Sequence, residues 1–207
     1  LPEGWRHVTI GDYIEQDAIE LQTGPFGTQL RASDYVEAGT PVINVRNIGY
    51  GDLRNDTIEF VPQGIVERLG VHVLRAGDIV FGRKGAVDRH LLIGSDQAGW
   101  MQGSDCIRLR TLNSSVCPVF LSFTFREEGH KQWMLIQCGN KATMASLNQD
   151  VIARILILEP SQALLREYRE LASSILAQIA LLQRQCEAAA RARDLLLPRL
   201  MSGEIAP

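Results

Sequence analysis

Apolar residues recur every three or four positions along the last long segment of the chain, Ser161 to Leu197. This segment holds 37 residues without glycine or proline. Its pattern is a heptad repeat, interrupted once by Arg193, which is typical of a helix that packs against another helix. Ser161 is placed to cap this helix, and Pro198 is predicted to end it. The positions of this apolar seam are Leu165, Tyr168, Ala172, Ile175, Ile179, Leu182, Cys186, Ala189 and Leu196.

The predicted helix is long compared with the rest of the chain. At 1.5 Å per residue it extends ~55 Å, whereas a compact body made of the preceding residues would be about 40 Å across. We therefore expect residues 1–158 to form one domain, and residues 159–207 to form a long helix and tail that present the seam to another helix. The alternative is a long helix that lies across one large core.

The body of the chain consists of short aliphatic and β-branched runs separated by glycine and proline turns. Runs at 8–10, 41–45, 58–61, 79–81, 91–94, 106–109 and 155–158 predict strands. Residues 118–137 predict one helix, with a weak point at Gly129. The expected fold class is α+β, with a mixed, β-rich domain followed by a long coiled-coil helix.

A basic loop lies between two of the predicted strands. Gly82-Arg83-Lys84-Gly85 follows the strand at 79–81, and Arg89 and His90 come directly before the next strand. A basic tip between strands is suited to contacts with phosphates or with base edges. A solvated surface turn explains the same residues equally well.

Arg46 and Asn47 stand where another predicted strand enters a loop. A rigid strand followed by a loop is a favourable position for a binding side chain. An asparagine that caps its own turn is the alternative explanation for Asn47.

The charge of the chain argues in both directions. The net charge of −3 does not favour nucleic-acid binding. The 21 basic residues, however, include only three lysines, so 18 are arginines, and arginine is the better bidentate ligand of guanine edges and phosphates. A genome rich in G and C would produce the same bias.

Several classes of protein are disfavoured by missing motifs. No apolar run approaches the ~20 residues of a membrane span, and no signal peptide opens the chain. The four cysteines are scattered without a CxxC pair, which predicts reduced thiols in a cytoplasmic protein rather than metal ligands. Phosphate loops, nucleophile elbows and HExxH motifs are absent, so we predict no catalytic residues, metal site or cofactor in this chain.

The order of several short motifs resembles a known family, the specificity (S) subunits of type I restriction–modification systems. The most specific of them is the closing tail, which runs from Leu196 to Ile205. The others are Leu-Pro-x-Gly-Trp at 1–5, Gly-x-Phe-Gly at 24–27, Asp34-Tyr35, Pro41-Val42-Ile43, Asn47-Ile48, Gly-Asp-Ile-Val-Phe at 77–81 with Arg83 and Gly85, and Leu147-Asn148.

This resemblance implies a non-catalytic DNA-recognition subunit. Residues 1–158 would be a target recognition domain that reads one half of a split double-stranded DNA target, and the long helix would be the spacer. The subunit would recruit methyltransferase (M) subunits, which bind S-adenosylmethionine, and a restriction (R) subunit. The assembled complex, and not this chain, would methylate and cleave DNA in defence against foreign DNA.

The chain departs from the family pattern because it has one recognition domain and one helix, where a full S subunit has two of each. We therefore expect either the second half of a longer subunit or a half-length subunit that forms a homodimer. The chain begins with Leu1 rather than Met, as expected of a piece of a longer protein or of a trimmed one. A homodimer would read an interrupted palindrome. Two rival functions remain: a protein-binding adaptor with an oligomerisation helix, and the recognition fragment of a single-chain restriction–methylation enzyme.

The candidate DNA-binding residues follow from the basic loops and from polar residues near them. Arg83, Lys84, Arg89 and Lys141 are the first candidates for phosphate contacts. Candidates for base edges are Arg46, Asn47, His90, Gln102 and Thr143.

Overall fold

Short strands and helices alternate through the first 160 residues, and one long helix follows. The computed structural model describes residues 1–139 and 145–205. The strands in these residues are β1 (Arg6–Thr9), β2 (Ile19–Thr23), β3 (Thr40–Ile43), β4 (Glu59–Val61), β5 (Ile79–Gly82), β6 (His90–Leu92), β7 (Met101–Gln102), β8 (Cys106–Thr111) and β9 (Leu156–Glu159). The helices are α1 (Ile10–Glu15), α2 (Gln63–Arg68), α3 (Pro118–Phe125), α4 (Glu128–Gln137), α5 (Gln149–Ala153) and α6 (Gln162–Met201).

The strands form three sheets. The largest has the order β2-β8-β5-β6 and is antiparallel throughout. A second sheet has the order β4-β3-β7, in which β3 and β7 are parallel. The third pairs β1 with β9. The predicted α+β class, with mixed sheets and a long C-terminal helix, is confirmed.

The largest sheet is covered on both faces, as the alternation of side chains along β5 demonstrates. Ile79 and Phe81 pack in a cluster with residues of α1, α3 and α5, whereas Val80 packs in a second cluster with Ile43 and Ile48. All three β5 side chains are fully buried. A strand that is buried on both faces carries a continuous apolar run, and this is the run that predicted the strand.

The pairing of β1 with β9 brings the beginning of the domain to its end. Glu159 is buried, and its carboxylate accepts hydrogen bonds from Nε of Arg6 and, at 2.7 Å, from the hydroxyl of Tyr13. Burial, aided by this contact with Glu159, raises the pKa of Tyr13 above its usual range. The strand pair therefore holds the chain at the point where α6 begins.

The long helix is confirmed, but its end was predicted wrongly. The chain divides into two compact units, Leu1–Leu165 and Arg166–Pro207. Helix α6 spans 40 residues, or about 60 Å. Pro198 lies inside α6 rather than ending it. Proline cannot donate a helical hydrogen bond, and its ring crowds the carbonyl four residues earlier. The carbonyl of Pro198 nevertheless accepts a hydrogen bond from the N–H of Ser202 at 3.0 Å, so the helix continues past it.

The segment 118–137 is two helices rather than the single helix predicted. The break falls at Arg126 and Glu127, and Gly129 lies inside α4. Glu127 has an extended backbone (ψ 139°), so the chain changes direction there. The sequence analysis also missed α1, which begins with a capping box between Thr9 and Asp12.

Two arginines on β8 hold the segment before β5 against the sheet. Arg108 is fully buried and donates to the carbonyl of Val71 at 2.7 Å. Arg110 donates to the carbonyl of Val73 and forms a two-pronged pair with Asp78, at 2.8 and 2.6 Å. Asp78 also accepts the N–H of Arg75, so this carboxylate stabilises the turn that enters β5.

We predict that replacing Asp78 with alanine lowers the free energy of unfolding by about 3 kcal/mol, because Arg110 would lose its buried partner. Urea denaturation of the full chain measures this change. Asp56→Ala, at an exposed turn position, is the matched control and should stay within about 0.5 kcal/mol of the wild type. Equal stabilities for the two variants would contradict a structural role for the buried pair.

Candidate nucleic-acid interface

The basic loop between β5 and β6 is held in a narrow conformation at its base. A Cβ atom on Gly82 would lie 2.5 Å from the carbonyl oxygen of Ala86, so only glycine fits there without a shift. Gly85 has φ +73°, a left-handed conformation that favours glycine. Arg83 and Lys84 lie between these two glycines, at the tip of the loop.

Two neighbouring segments hold the tip in place through backbone hydrogen bonds. The N–H of Arg83 donates to the carbonyl of Asp105 at 2.8 Å, and the carbonyl of Arg83 accepts from the N–H of Leu147, also at 2.8 Å. The N–H of Gly85 donates to Ala145 at 3.1 Å. Three segments distant in sequence therefore meet at this end of β5.

The cations on this surface are paired with exposed carboxylates. Nζ of Lys84 lies 3.1 Å from Asp105, and both side chains are about half exposed, at 49% and 45%. Arg46 forms an ion pair with Glu59, which is also partly exposed. Exposed pairs contribute about 0–1 kcal/mol, so either cation can exchange its carboxylate for a phosphate with a small change in free energy.

A cleft of about 280 Å³ lies beside these pairs. The residues that line it are Asn44, Val45, Arg46, Glu59, Ser104 and Asp105. Most of its lining side chains are polar and offer both hydrogen-bond donors and acceptors. Such a lining suits contacts with base edges or sugar–phosphate groups.

Asn47 does not take the role of a base-reading residue. Its side chain is fully buried, its Oδ1 accepts from the N–H of Asn44 at 2.9 Å, and its Nδ2 donates to the carbonyl of Arg54 at 3.1 Å. These bonds tie together the two ends of a turn. Asn47 therefore caps its own turn, which was the alternative explanation. Asn47 is removed from the candidate DNA-binding residues.

His90 and Gln102 are also removed from the candidate base-reading residues, because both side chains point into the protein. Nε2 of His90 lies 2.9 Å from the carbonyl of Ser122. Nε2 of Gln102 donates to the carbonyls of Gln22 and Cys106, at 2.8 and 3.1 Å. Both side chains are at most 3% exposed, which leaves no surface for a base edge.

Lys141 and Thr143, the remaining predicted contacts, lie outside the described residues. Arg89 is half-buried and places its guanidinium 4.7 Å from the ring centre of Tyr50. Arg46, Arg83, Lys84 and Arg89 therefore remain as the candidate contacts that the structure describes.

The sequence analysis missed Tyr50 and Lys131, which contribute to the same surface. Tyr50 is 54% exposed, and Nζ of Lys131 lies 5.7 Å from its ring centre. The available signal was an aromatic residue placed between Gly49 and Gly51 in a polar turn, since exposed aromatic rings beside cations are common in nucleic-acid binding. Lys131 carried no local signal, because it lies in a segment that was interpreted as core helix.

His90 is a neutral, buried group next to this surface. Burial, together with the nearby positive charge of Arg126, lowers the pKa of His90 to about 4, and its hydrogen bond to Ser122 opposes the shift only in part. The imidazole is therefore uncharged at pH 7.

The second unit carries the apolar seam on α6. Leu165 is buried within the first unit. From Ile175 onward the large seam side chains are exposed, and Ile175, Ile179 and Leu182 have 48%, 45% and 58% of their surface accessible. Cys186 is exposed as well. A row of half-exposed aliphatic side chains on one helix is the arrangement that a partner helix would cover.

Residues 1–139 and 145–205 lack two further features, a metal-binding cluster and a membrane-spanning helix. These residues contain no group of three or more His, Cys, Asp or Glu side chains that could hold a metal ion. None of the helices in the described residues is long and apolar enough to cross a membrane.

Comparison with known proteins gives matches to restriction systems, mostly of type I. No protein-family model matches the chain. A curated protein, the type I restriction enzyme MjaVIII specificity subunit of Methanocaldococcus jannaschii, is 25% identical over 105 residues, which cover 51% of this chain and 22% of that protein.

Two solved structures share the fold over nearly the whole chain. The S subunit of a type I restriction–modification system from M. genitalium has a TM-score of 0.66 at 15% identity, and covers 96% of this chain and 46% of its own. The HsdS subunit from Thermoanaerobacter tengcongensis has a TM-score of 0.56 at 19% identity. This match covers 99% of this chain and 46% of that one. The predicted resemblance to type I specificity subunits is confirmed at the level of the fold, and the chain spans less than half the length of these relatives.

We predict that the free energy of unfolding falls as the pH is lowered from about 6.5 toward 4, in part because of His90. The unfolded histidine binds a proton below about 6.5, whereas the buried one stays neutral down to about pH 4. The unfolded state therefore binds more protons in this window, and stability is lost by up to roughly 3 kcal/mol. Urea titrations at several pH values should show a weaker dependence for His90→Gln. His7→Gln, at an exposed position, should keep the wild-type dependence.

Proposed function

We propose that this chain is a DNA-recognition subunit of a type I restriction–modification complex, and that it reads one half of a split double-stranded target. The observation that carries the proposal is the match of one β-rich domain plus one long helix to just under half of a solved S subunit. The curated similarity to a type I specificity subunit supports it. In this proposal residues 1–158 read DNA, and residues 159–207 form the spacer helix and tail.

The basic loop and its neighbours form the DNA-facing surface. Arg83 and Lys84 stand at the tip of a loop whose base is fixed by Gly82 and by backbone bonds to Asp105 and Leu147. A fixed loop presents its cations with a small loss of conformational entropy on binding. Phosphate contacts of this kind position a domain on the duplex, and the cleft beside Arg46 is the candidate place for reading base edges.

The chain itself performs no chemistry in this proposal. The methyl donor S-adenosylmethionine belongs to the methyltransferase (M) subunits and cleavage to the restriction (R) subunit, all acting on DNA in the cytoplasm. The spacer helix binds its counterpart through the apolar seam. That counterpart is the same helix of a second copy, in a homodimer, or the second helix of a longer subunit.

Removing the two cations at the loop tip should weaken DNA binding and flatten its dependence on salt. Each lost phosphate contact lowers the slope of log K against log salt by about 0.9, so Arg83→Ala combined with Lys84→Ala should lower it by about 2. The measurement is the affinity of the complex with the methyltransferase subunit for its mapped target and for an unrelated duplex, at several salt concentrations. Both duplexes should lose affinity alike.

The matched control removes the same charge from α2 and from the turn that enters β5. Arg68→Ala combined with Arg75→Ala changes exposed positions and should leave the slope unchanged. If the loop variant keeps both the affinity and the slope of the wild type, the loop does not contact DNA.

Charged residues in the seam should separate the helix from its partner. Ile175→Asp combined with Ile179→Asp would bury two carboxylates in an apolar interface, which is strongly unfavourable. Light scattering should then give a monomer where the wild type is a dimer, or loss of the methyltransferase subunit from the complex, with unchanged thermal unfolding of the first unit.

Ser174→Asp combined with Gln178→Asp is the control for the seam, because these exposed residues lie outside it. It should keep the wild-type mass. A wild-type monomer that still binds one methyltransferase subunit would contradict homodimerisation and place the partner helix in a second half. Unfolding of the first unit by the seam variant would mean that the helix belongs to its core.

A further inference from the structure

We infer that the cleft beside Tyr50 is a second phosphate-binding site for the DNA backbone, formed by Arg126 and Lys131. The inference rests on the proposed function and adds to it residues from α4 and from the turn after α3. The cleft is lined by residues of three segments that are distant in sequence, at 50, 88–90 and 126–131, and Arg89 lies against the ring of Tyr50 beside it.

Tyr50 organises the cations of this cleft. The guanidinium of Arg89 lies 4.7 Å from the centre of its ring, and Nζ of Lys131 lies 5.7 Å from the same centre. The hydroxyl donates to Asp88 at 3.1 Å, which holds the ring in place. Two cations attracted to one fixed ring have fewer conformations to lose when they bind an anion.

Arg126 is held in the cleft by its packing. Its guanidinium stacks over the ring of Phe123 at 4.7 Å and lies against Gly51, where a Cβ atom would be 2.4 Å from Cζ. Gly51 also has φ +94°, a conformation that favours glycine. Any larger residue at this position would displace the arginine.

The size and charge of the cleft suit one phosphate group. Its volume is about 100 Å³, and its lining residues are Tyr50, Asp88, His90, Arg126 and Lys131. A single water needs only about 10–15 Å³ on this measure, so the space has room for a small anion. Because its pKa is lowered to about 4, His90 carries no charge at pH 7. The charged residues of the lining are therefore Asp88, Arg126 and Lys131.

The ion pair of Lys131 leaves this cation available to a ligand. Lys131 pairs with Glu128 at 2.7 Å, but Glu128 is 68% exposed, so the pair is weak and exchangeable.

The position of the cleft favours a DNA phosphate over a free one. Arg89 ends the same loop that carries Arg83 and Lys84 at its tip. The five Cα–Cα steps from Lys84 to Arg89 span at most about 17 Å, which equals the rise of about five nucleotides of one strand along the helix axis. One duplex can therefore reach both the tip and the cleft.

The test measures DNA binding by the full chain in complex with its methyltransferase subunit. It compares two substitutions that should change the affinity in opposite directions. Lys131→Gln should lower the salt slope of DNA binding by about 0.9 and weaken target and unrelated duplexes equally. Glu128→Gln should strengthen binding, because it releases Lys131 from its carboxylate. A residue with a purely structural role would not give these opposite effects.

Two controls accompany these variants. Glu67→Gln makes the same charge change at an exposed position on α2 and should leave binding unchanged. Lys131→Arg should keep the slope, because it preserves the cation. Equal strengthening by Glu67→Gln and Glu128→Gln would indicate a general charge effect and overturn the assignment.

The remaining outcomes separate this inference from the proposed function. A normal slope for Lys131→Gln, combined with a reduced slope for the loop-tip variant, would overturn the cleft and keep DNA recognition. Thermal stabilisation by inorganic phosphate that Lys131→Gln abolishes, without any change in the DNA slope, would assign the cleft to a free anion and overturn the DNA contact. Duplex binding without salt dependence in the wild-type complex would overturn both proposals.

Discussion

Strand β5 is buried on both faces, and most of the first unit depends on this constraint. Its odd-numbered side chains pack against the helices, and its even-numbered side chains pack toward the sheet that contains β3. Because both faces must be covered, the helices and the second sheet have to lie on opposite sides of one strand. Asp78, paired with Arg110, fixes the turn at which this strand begins.

The candidate interface lies where β5 ends. Gly82 brings the chain close to Ala86, and the loop tip is then bonded to segments at 105 and 145–147. The cations are carried by loops and by a helix end, whereas rigid elements fix their backbone. This division between a rigid scaffold and loop-borne side chains is general for binding surfaces.

The second unit has a different kind of organisation. Its helix has little apolar surface buried beyond Leu165, and its aliphatic seam is exposed over several turns. An isolated helix gains most of its stability from packing of its apolar face, so a partner helix is the natural source of that stability. The chain spans less than half the length of the solved structures that share its fold.

The sequence by itself determined the elements whose pattern is local: the buried strand at 79–81, the long helix with its seam, and the basic loop between glycines. It did not determine which polar residues face outward. Asn47, His90 and Gln102 stand beside predicted loops, yet their side chains complete hydrogen bonds inside the protein, because buried backbone carbonyls need donors. Tyr50, Arg89, Arg126 and Lys131 meet only when three distant segments pack together. Local periodicity carries no information about such meetings, so only the tertiary structure decided them.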